Sequence, residues 1–219
     1  MNTKSCSLCA VLAAALAGTA SANLRITEVM SSSNGGGSPT ADWFEVTNYG
    51  ASAITLSGFR MDDNSFNFGA SRELLGIATI GAGETVIFLE TAGGAAIGSF
   101  RSFWGGLAGV QVGYYSGSGV SFSSGGDGMV LFDALGAEVS PRVNFGAATS
   151  GSSFFWGYDS AGNIDPAFDA LVSTVGTLGT QIGFSSSGDI GSLGTALGIP
   201  APGAVALLGL AGLAARRRR

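Results

Sequence analysis

Short apolar runs separated by glycines are the feature that most constrains the fold of this chain. Residues 84–90 and 128–133 are two such runs, and each follows a glycine-rich turn in a chain that contains 37 glycines. Apolar runs of about four to eight residues bounded by turns predict strands, and no long segment has the 3.6-residue period of a helix. The sequence therefore predicts an all-β sandwich in preference to a disordered glycine and serine chain.

The first predicted strands show alternation of apolar side chains. In residues 24–30, Leu24 and Ile26 share a face and Glu28 follows on that same face. In residues 42–48, Phe44 and Val46 share a face. Further strands are predicted at 54–62, 85–90, 129–132 and around 138–145.

The N-terminus has the order of a secretory signal. Lys4 precedes an apolar stretch at residues 8–17, and Ala20 and Ala22 supply the small residues of a cleavage site. We predict that residues 1–22 are a signal peptide, removed by signal peptidase between Ala22 and Asn23. A retained anchor is the alternative, but the stretch is shorter than the roughly 20 residues of a membrane span.

Both cysteines of the chain, Cys6 and Cys9, precede the predicted cleavage point. The exported chain would therefore contain no disulfide, and packing and sheet hydrogen bonds would stabilise it.

The C-terminus combines prolines, an apolar stretch and a basic end. The motif residues are Pro200, Ala201, Pro202 and Gly203, and the basic residues are Arg216, Arg217, Arg218 and Arg219. The apolar stretch between them, residues 204–215, has no polar face, which disfavours a core helix and favours a short membrane helix stopped by cytoplasmic arginines.

This tail resembles the PEP-CTERM sorting signal, except that the central glutamate of that signal is replaced by Ala201. The resemblance implies that residues 198–219 associate transiently with the membrane and are recognised by an exosortase-like sorting enzyme. A tail that is kept as a simple anchor is the alternative.

Charge and missing residue types exclude several functions. Without both end segments, five arginines and fifteen acids remain, a formal charge of −10, and the whole chain has no histidine. A surface of this charge argues against nucleic-acid binding. Without histidine, and with no cysteine or lysine after the signal, the chain lacks the catalytic pairs of serine and cysteine hydrolases and the usual zinc ligands. We predict no catalytic residues, no cofactor and no metal site.

Carboxylates are the chemistry that remains. Asp42 with Glu45, or Asp62 with Asp63, could form the acid pair of a glycoside hydrolase. Asp42 and Glu45 are three residues apart on a strand and so point to opposite faces. We interpret Asp42 as a loop cap and Glu45 as an acceptor for neighbouring turn amides. Residues 62–64 and 126–128 lack the ligand spacing of a calcium loop and are interpreted as turns.

Aromatic side chains could fill the core or form a binding surface. The set comprises Trp43, Trp104, Tyr114, Tyr115, Phe154, Phe155 and Trp156. We favour the core for most of them, because so much of the chain is glycine and alanine. Tyr114 and Tyr115 would point to opposite faces of a strand, so at least one of them should face solvent.

Several of these segments together resemble the lamin-tail domain. They include Asp42-Trp-Phe-Glu45, the downstream Leu56-Ser-Gly58, residues 83–87 and 126–133, and residues 188–192 near the end. The resemblance implies an immunoglobulin-like β-sandwich over residues 23–197, flanked by the signal helix and the short C-terminal helix. It also implies an interaction or wall-associated module.

We therefore expect an exported, non-enzymatic protein of the cell surface or extracellular matrix, with extracellular polysaccharide or surface proteins as partners. The alternatives are a carbohydrate-binding accessory module and a carboxylate-dependent glycan hydrolase. Convergent acids in an open cleft would favour the hydrolase.

Overall fold

A computed structural model describes residues 23–35, 41–176, 183–184 and 187–198. The predicted signal peptide and the predicted sorting motif lie outside the described residues. No helix in the described part is long and apolar enough to span a membrane.

The described residues form fourteen strands, one α-helix and two short 3₁₀ turns. The strands are β1 (Leu24–Met30), β2 (Trp43–Asn48), β3 (Ile54–Thr55), β4 (Arg60–Asp62), β5 (Arg72–Glu73), β6 (Thr79–Ile80), β7 (Thr85–Glu90), β8 (Gln111–Tyr115), β9 (Asp127–Phe132), β10 (Val143–Phe145), β11 (Phe154–Phe155), β12 (Leu171–Val172), β13 (Gly183–Phe184) and β14 (Ile190–Gly191). The helix is α1 (Ile97–Phe103), and the 3₁₀ turns are Gly94–Ala96 and Pro166–Phe168.

Two sheets make a β-sandwich, which confirms the predicted fold class. The larger sheet has the order β12-β11-β1-β2-β7-β8, and the smaller has the order β10-β9-β4-β5. All neighbouring strands in them are antiparallel except β7 and β8, which run parallel. Two further pairs, β3 with β6 and β13 with β14, lie outside these sheets.

The inner face of the larger sheet contributes most of the core. Phe44 stacks on Phe88 with ring centroids 5.4 Å apart, and Tyr115 lies 5.3 Å from Phe44. Ile26 and Val46, paired across β1 and β2, are fully buried in the same cluster. Alternation in the sequence correctly placed Leu24 with Ile26, and Phe44 with Val46, on this face, because the members of each pair are two residues apart on their strand.

A β-bulge in β1 changes the face on which Glu28 lies. The register shifts between Ile26 and Glu28, so that Val29, and not Glu28, follows Ile26 into the core. Glu28 pairs with Glu45 on the outer face of the sheet. The expectation that Glu28 shares a face with Leu24 and Ile26 is therefore wrong, because an extra residue in one strand reverses the alternation.

Two of the predicted strands are observed in a different form, and one observed helix was not predicted. Residues 54–62 form two short strands, because the chain turns between them with Gly58 in the left-handed region at a φ of 74°. The strand expected around 138–145 is regular only at β10, preceded by an isolated bridge at Glu138. The seven-residue helix α1 has no counterpart among the predicted elements, since it is too short to show a clear 3.6-residue period.

Candidate functional site

Two buried glutamates face each other on the outer side of the larger sheet. Glu28 of β1 and Glu45 of β2 are direct cross-strand partners, and both are 0% exposed. Like charges directly opposite one another destabilise a sheet, and buried carboxylates need hydrogen-bond donors. This pair therefore requires an explanation from its surroundings.

Glu28 is surrounded by donors from two distant parts of the chain. Its Oε1 atom accepts hydrogen bonds from Ser153 Oγ at 2.5 Å and from Ser192 N at 2.8 Å. Its Oε2 atom bonds Ser192 Oγ at 2.6 Å. Ser173 Oγ lies 2.7 Å from Ser153 Oγ and extends the network across the sheet.

Glu45 is satisfied in a similar way. Its Oε1 atom accepts from Thr27 Oγ1 at 2.9 Å, and its Oε2 atom accepts from Gly194 N at 2.5 Å. The Thr27 hydroxyl continues through Thr47 to Thr85, with oxygens 3.0 Å apart at each step. Backbone donors do reach Glu45, as predicted, but they come from a segment 149 residues away and not from a neighbouring turn.

The segment that supplies these donors is residues 187–198, which we call the strap. Near its start, the Asp189 carboxylate accepts from Ser33 Oγ and from Asn34 N, the latter at 2.9 Å. Near its end, Tyr49 Oη donates to Leu197 O at 2.5 Å. The strap is therefore fixed across the outer face at both ends and over the two glutamates in the middle.

An apolar cluster covers the rest of this face. Trp43 lies under α1, with ring centroids 5.7 Å from Trp104 and 6.4 Å from Phe100. Leu193 of the strap packs against the same cluster. The outer face is thus closed by α1 on one part and by the strap on the other.

Burial controls the protonation of the pair. It raises the pKa of Glu28, and it raises the pKa of Glu45 well above 4.5, to which the Glu28 charge contributes further. Among the described residues the only ion pair is Arg142 with Glu138, so no basic side chain compensates these carboxylates. We infer that a proton neutralises the pair.

The pair is closed to substrate in this arrangement. Glycoside hydrolysis needs two carboxyl groups on either side of a bound sugar. Glu28 and Glu45 are instead fully buried, and the strap lies against them. Their convergence and raised pKa values are properties of a catalytic pair, but the open cleft is lacking.

The acid pairs named from the sequence differ from this buried pair. Asp63 is only half-buried, and its pKa is raised by burial first and then by the Asp62 charge. Asp42 is separated from Glu45, and its pKa is raised to about 7 by burial first and then by Glu90 and Asp127. Asp42 O accepts from Glu90 N at 2.8 Å.

The two predicted turns are displaced from 62–64 and 126–128: the turn residues are 64–65 and 124–125, while Asp62 ends β4 and Asp127 begins β9. Asp62 Oδ2 accepts from Ser65 Oγ at 2.5 Å and from Asn67 N at 2.7 Å. Asp127 Oδ2 accepts from Ser123 N at 2.7 Å. Within the described ranges, no group of three acidic, histidine or cysteine side chains could hold a metal ion.

The aromatic side chains lie in the core, as favoured from the sequence. Six of the seven are buried: Trp43, Trp104, Tyr115, Phe154, Phe155 and Trp156. Tyr114 is half-buried on the other side of β8 from Tyr115, as the strand periodicity predicted.

Sequence reasoning missed Glu28, Ser153 and Ser192 as members of one network. The sequence does contain one indication of this network. Glu28 lies in the middle of a predicted strand, which is unusual in a chain with only 11% charged residues. The strap had no comparable signal, because most of its donors are backbone amides.

A substitution at Gly194 tests the importance of the strap. Gly194 has a φ of 78°, and a Cβ atom there would lie 2.5 Å from Val110 Cγ2. We expect Gly194→Ala to lower the free energy of unfolding by about 1 kcal/mol, because the left-handed conformation disfavours alanine. Urea unfolding measures this change, and hydrogen exchange should show faster exchange at the Ser192 and Gly194 amides.

Gly98→Ala is the matched control. Gly98 lies in α1, and a Cβ atom there would meet nothing within 4 Å. Alanine favours a helix over glycine, so this variant should be at least as stable as the unmodified protein. Equal effects of the two substitutions would contradict a specific role of the strap.

A family model described as Lamin Tail Domain matches residues 17–147 of the chain, which is more than half of its length. The match is shorter than the resemblance seen in the sequence, because strands β11, β12 and β14 and the strap lie beyond it. A search of curated proteins found no match.

Proposed function

The chain belongs to the lamin tail domain family, and we propose that it is an exported, non-enzymatic interaction module of the cell surface or extracellular matrix. The immunoglobulin-like sandwich of this family is a structural and interaction fold. Its placement outside the cell is inferred from the two end segments of the sequence.

The main support for a non-enzymatic role is that Glu28 and Glu45 are buried beneath the strap. Burial raises the pKa of both Glu28 and Glu45, the Glu28 charge raises that of Glu45 further, and both side chains are 0% exposed. Their oxygen atoms bond to Ser153, Thr27 and the strap. These contacts support a role in holding the strap in place and oppose a role in hydrolysis.

Export and sorting rest on the order of residue types at the two ends of the sequence. Strand β1 begins at Leu24, immediately after the predicted cleavage point between Ala22 and Asn23. Leu197, whose carbonyl bonds Tyr49, immediately precedes the predicted sorting segment. Strand β1 and Leu197 would thus both be kept after the two predicted cleavages, and signal peptidase and an exosortase-like enzyme are the proposed partners.

Intact mass and location in the native host test the sorting proposal. We expect a surface or released form that lacks the residues before Asn23 and after about Ile199. Replacing Arg216, Arg217, Arg218 and Arg219 with glutamine should cause the loss of this form, because the positive stop is removed. Replacement by lysine keeps the charge and is the matched control.

Two results would contradict this proposal. A full-length chain in the cytoplasm would contradict export, and a membrane form that keeps the tail would replace sorting with simple anchoring. Glycan hydrolysis by the purified protein that is lost in Glu28→Gln would contradict the non-enzymatic assignment.

A further inference from the structure

A second concave site lies at the end of the sandwich where β1 begins and the strap ends. Its cavity of about 360 Å³ is lined by Asn23, Arg25, Tyr49, Tyr158, the turn at 159–162 and Gly198. This volume is at the lower end of the range for small-molecule sites, and it suits a single small ring.

Arg25 in this cavity has fewer partners than the other arginines of the described residues. Arg60, Arg72 and Arg101 each donate to at least two oxygens, and Arg142 forms an ion pair with Glu138. Arg25 donates only from Nη1 to the neighbouring Leu24 O, at 2.8 Å.

The burial of Arg25 makes this lack of partners costly. The side chain is 8% exposed, and its Nε atom is buried without a hydrogen-bond partner. Its Cζ atom lies 5.7 Å from the centroid of the Tyr158 ring, and the Asp159 charge acts on it, but the Asp159 carboxylate bonds to turn groups instead. A guanidinium group carries five N–H donors, so most of its hydrogen-bonding capacity is unused. A carboxylate matches its planar donor edge with two parallel hydrogen bonds.

The other walls of the cavity fit a sugar ring. Tyr49 and Tyr158 meet edge to face at 5.9 Å, and their hydroxyls donate to Leu197 O and Ile26 O. Because both hydroxyls are used, the rings offer apolar surface to a ligand. Asn23 and Ser160 add polar side chains that can bond to ring hydroxyls.

The charge around the cavity favours a ligand with one negative charge. Asp159 lies at the rim, where its carboxylate caps a turn by accepting from Ala161 N and Asn163 N, each at 2.9 Å. This negative group, on a domain with a formal charge of −10, disfavours phosphate and sulfate more than it disfavours a single carboxylate.

From these contacts we propose that the cavity binds a uronic acid residue, with its carboxylate on Arg25 and its ring against Tyr49 and Tyr158. The proposal rests on the proposed extracellular role and names the polysaccharide class as one with accessible uronic acids. Both predicted cleavage points adjoin the cavity, at Asn23 and just beyond Gly198. Binding is therefore measured on the uncleaved chain, and a failure to bind there would leave the location experiment unaffected.

Calorimetric titration of the full-length protein in detergent with methyl glucuronide tests the site. We expect weak binding, with a Kd of about 1 mM, and at least tenfold weaker binding by Arg25→Gln, because the charge-assisted hydrogen bonds are lost. Arg72→Gln is the matched control, since Arg72 donates to Ser118 O and Ala70 O away from this cavity; it should bind as the unmodified protein does.

Asp159→Asn is a second variant, which tests the proposal even if Arg25→Gln does not fold. Asp159 is exposed, and an asparagine oxygen can still accept from the turn amides. Removing its charge should strengthen methyl glucuronide binding about two- to fivefold, with a smaller gain at high salt.

Three ligands decide between the uronic acid and other sources of binding. Methyl glucoside, acetate and inorganic phosphate should all bind at least tenfold more weakly than methyl glucuronide. Equal binding of the glucoside would overturn the role of the carboxylate, and equal binding of acetate would overturn the role of the ring. Tighter binding of phosphate would identify a general anion site and overturn the proposal.

Discussion

Replacing Trp43 with alanine is expected to lower the free energy of unfolding by about 4 kcal/mol, because a buried aromatic side chain would leave a large cavity. Trp43 is 1% exposed and contacts the ring of Phe100 on α1 and that of Trp104, the residue that follows this helix. It also lies beside Gly191 of the strap. Its loss should therefore loosen both elements that close the outer face, and urea unfolding followed by far-UV circular dichroism measures the change.

Leu135→Ala provides the control for this experiment. Leu135 is 92% exposed in the turn after β9, so its truncation should change stability by less than about 0.5 kcal/mol. If Trp43→Ala stays within about 1 kcal/mol of the unmodified protein, then α1 and the strap do not depend on the aromatic cluster.

The inner core could be predicted from the sequence because its pattern is local. Phe44 and Val46 alternate with polar residues along β2, and the apolar run of β7 follows a glycine turn. Strand periodicity and turn chemistry act over a few residues. These elements were therefore found with no knowledge of what they pack against.

The glutamate pair could not be predicted, because it depends on a bulge. One extra residue between Ile26 and Glu28 moves Glu28 from the core face to the outer face, opposite Glu45. Nothing in the residue types of β1 marks this shift. A side-chain period of two makes every later position sensitive to a single inserted residue.

The strap could not be predicted from the sequence for a different reason. Its contacts with Glu28 and Glu45 join residues 149 and 164 positions apart, and the amides of Ser192 and Gly194 carry no sequence signature. Its segment was noticed only as part of a family resemblance. The structure adds the physical reason for the segment, which is the need of two buried carboxylates for donors.

The free energy of unfolding of the double variant Glu28→Gln with Glu45→Gln should fall less with rising pH than that of the unmodified protein. The folded-state pKa of each carboxyl is raised above the usual 4.5. Each group therefore stabilises the fold fully below about pH 4.5, and this contribution is lost as the pH rises through the folded pKa. Glutamine keeps the size and one acceptor oxygen without gaining a charge.

Equilibrium unfolding in urea at pH 5 and pH 8 measures this difference. Because the pKa of each carboxyl is raised in the folded state, the unmodified protein should lose more stability than the double variant when the pH rises from 5 to 8. Asp42 also has a raised pKa, of about 7, and that of Asp159 is lowered. Both remain in the variant, so their contributions cancel in the comparison.

Glu73→Gln removes one charge from an exposed position on β5, and its pH profile should follow that of the unmodified protein. An unchanged profile in the double variant would contradict a protonated glutamate pair. A bound cation in place of the proton would reverse the sign, because acidification would then displace the ion and destabilise the fold. The result that assigns the neutralising charge to a proton is therefore a larger rise in stability from pH 8 to pH 5 for the unmodified protein than for the double variant, with no effect of added chelator.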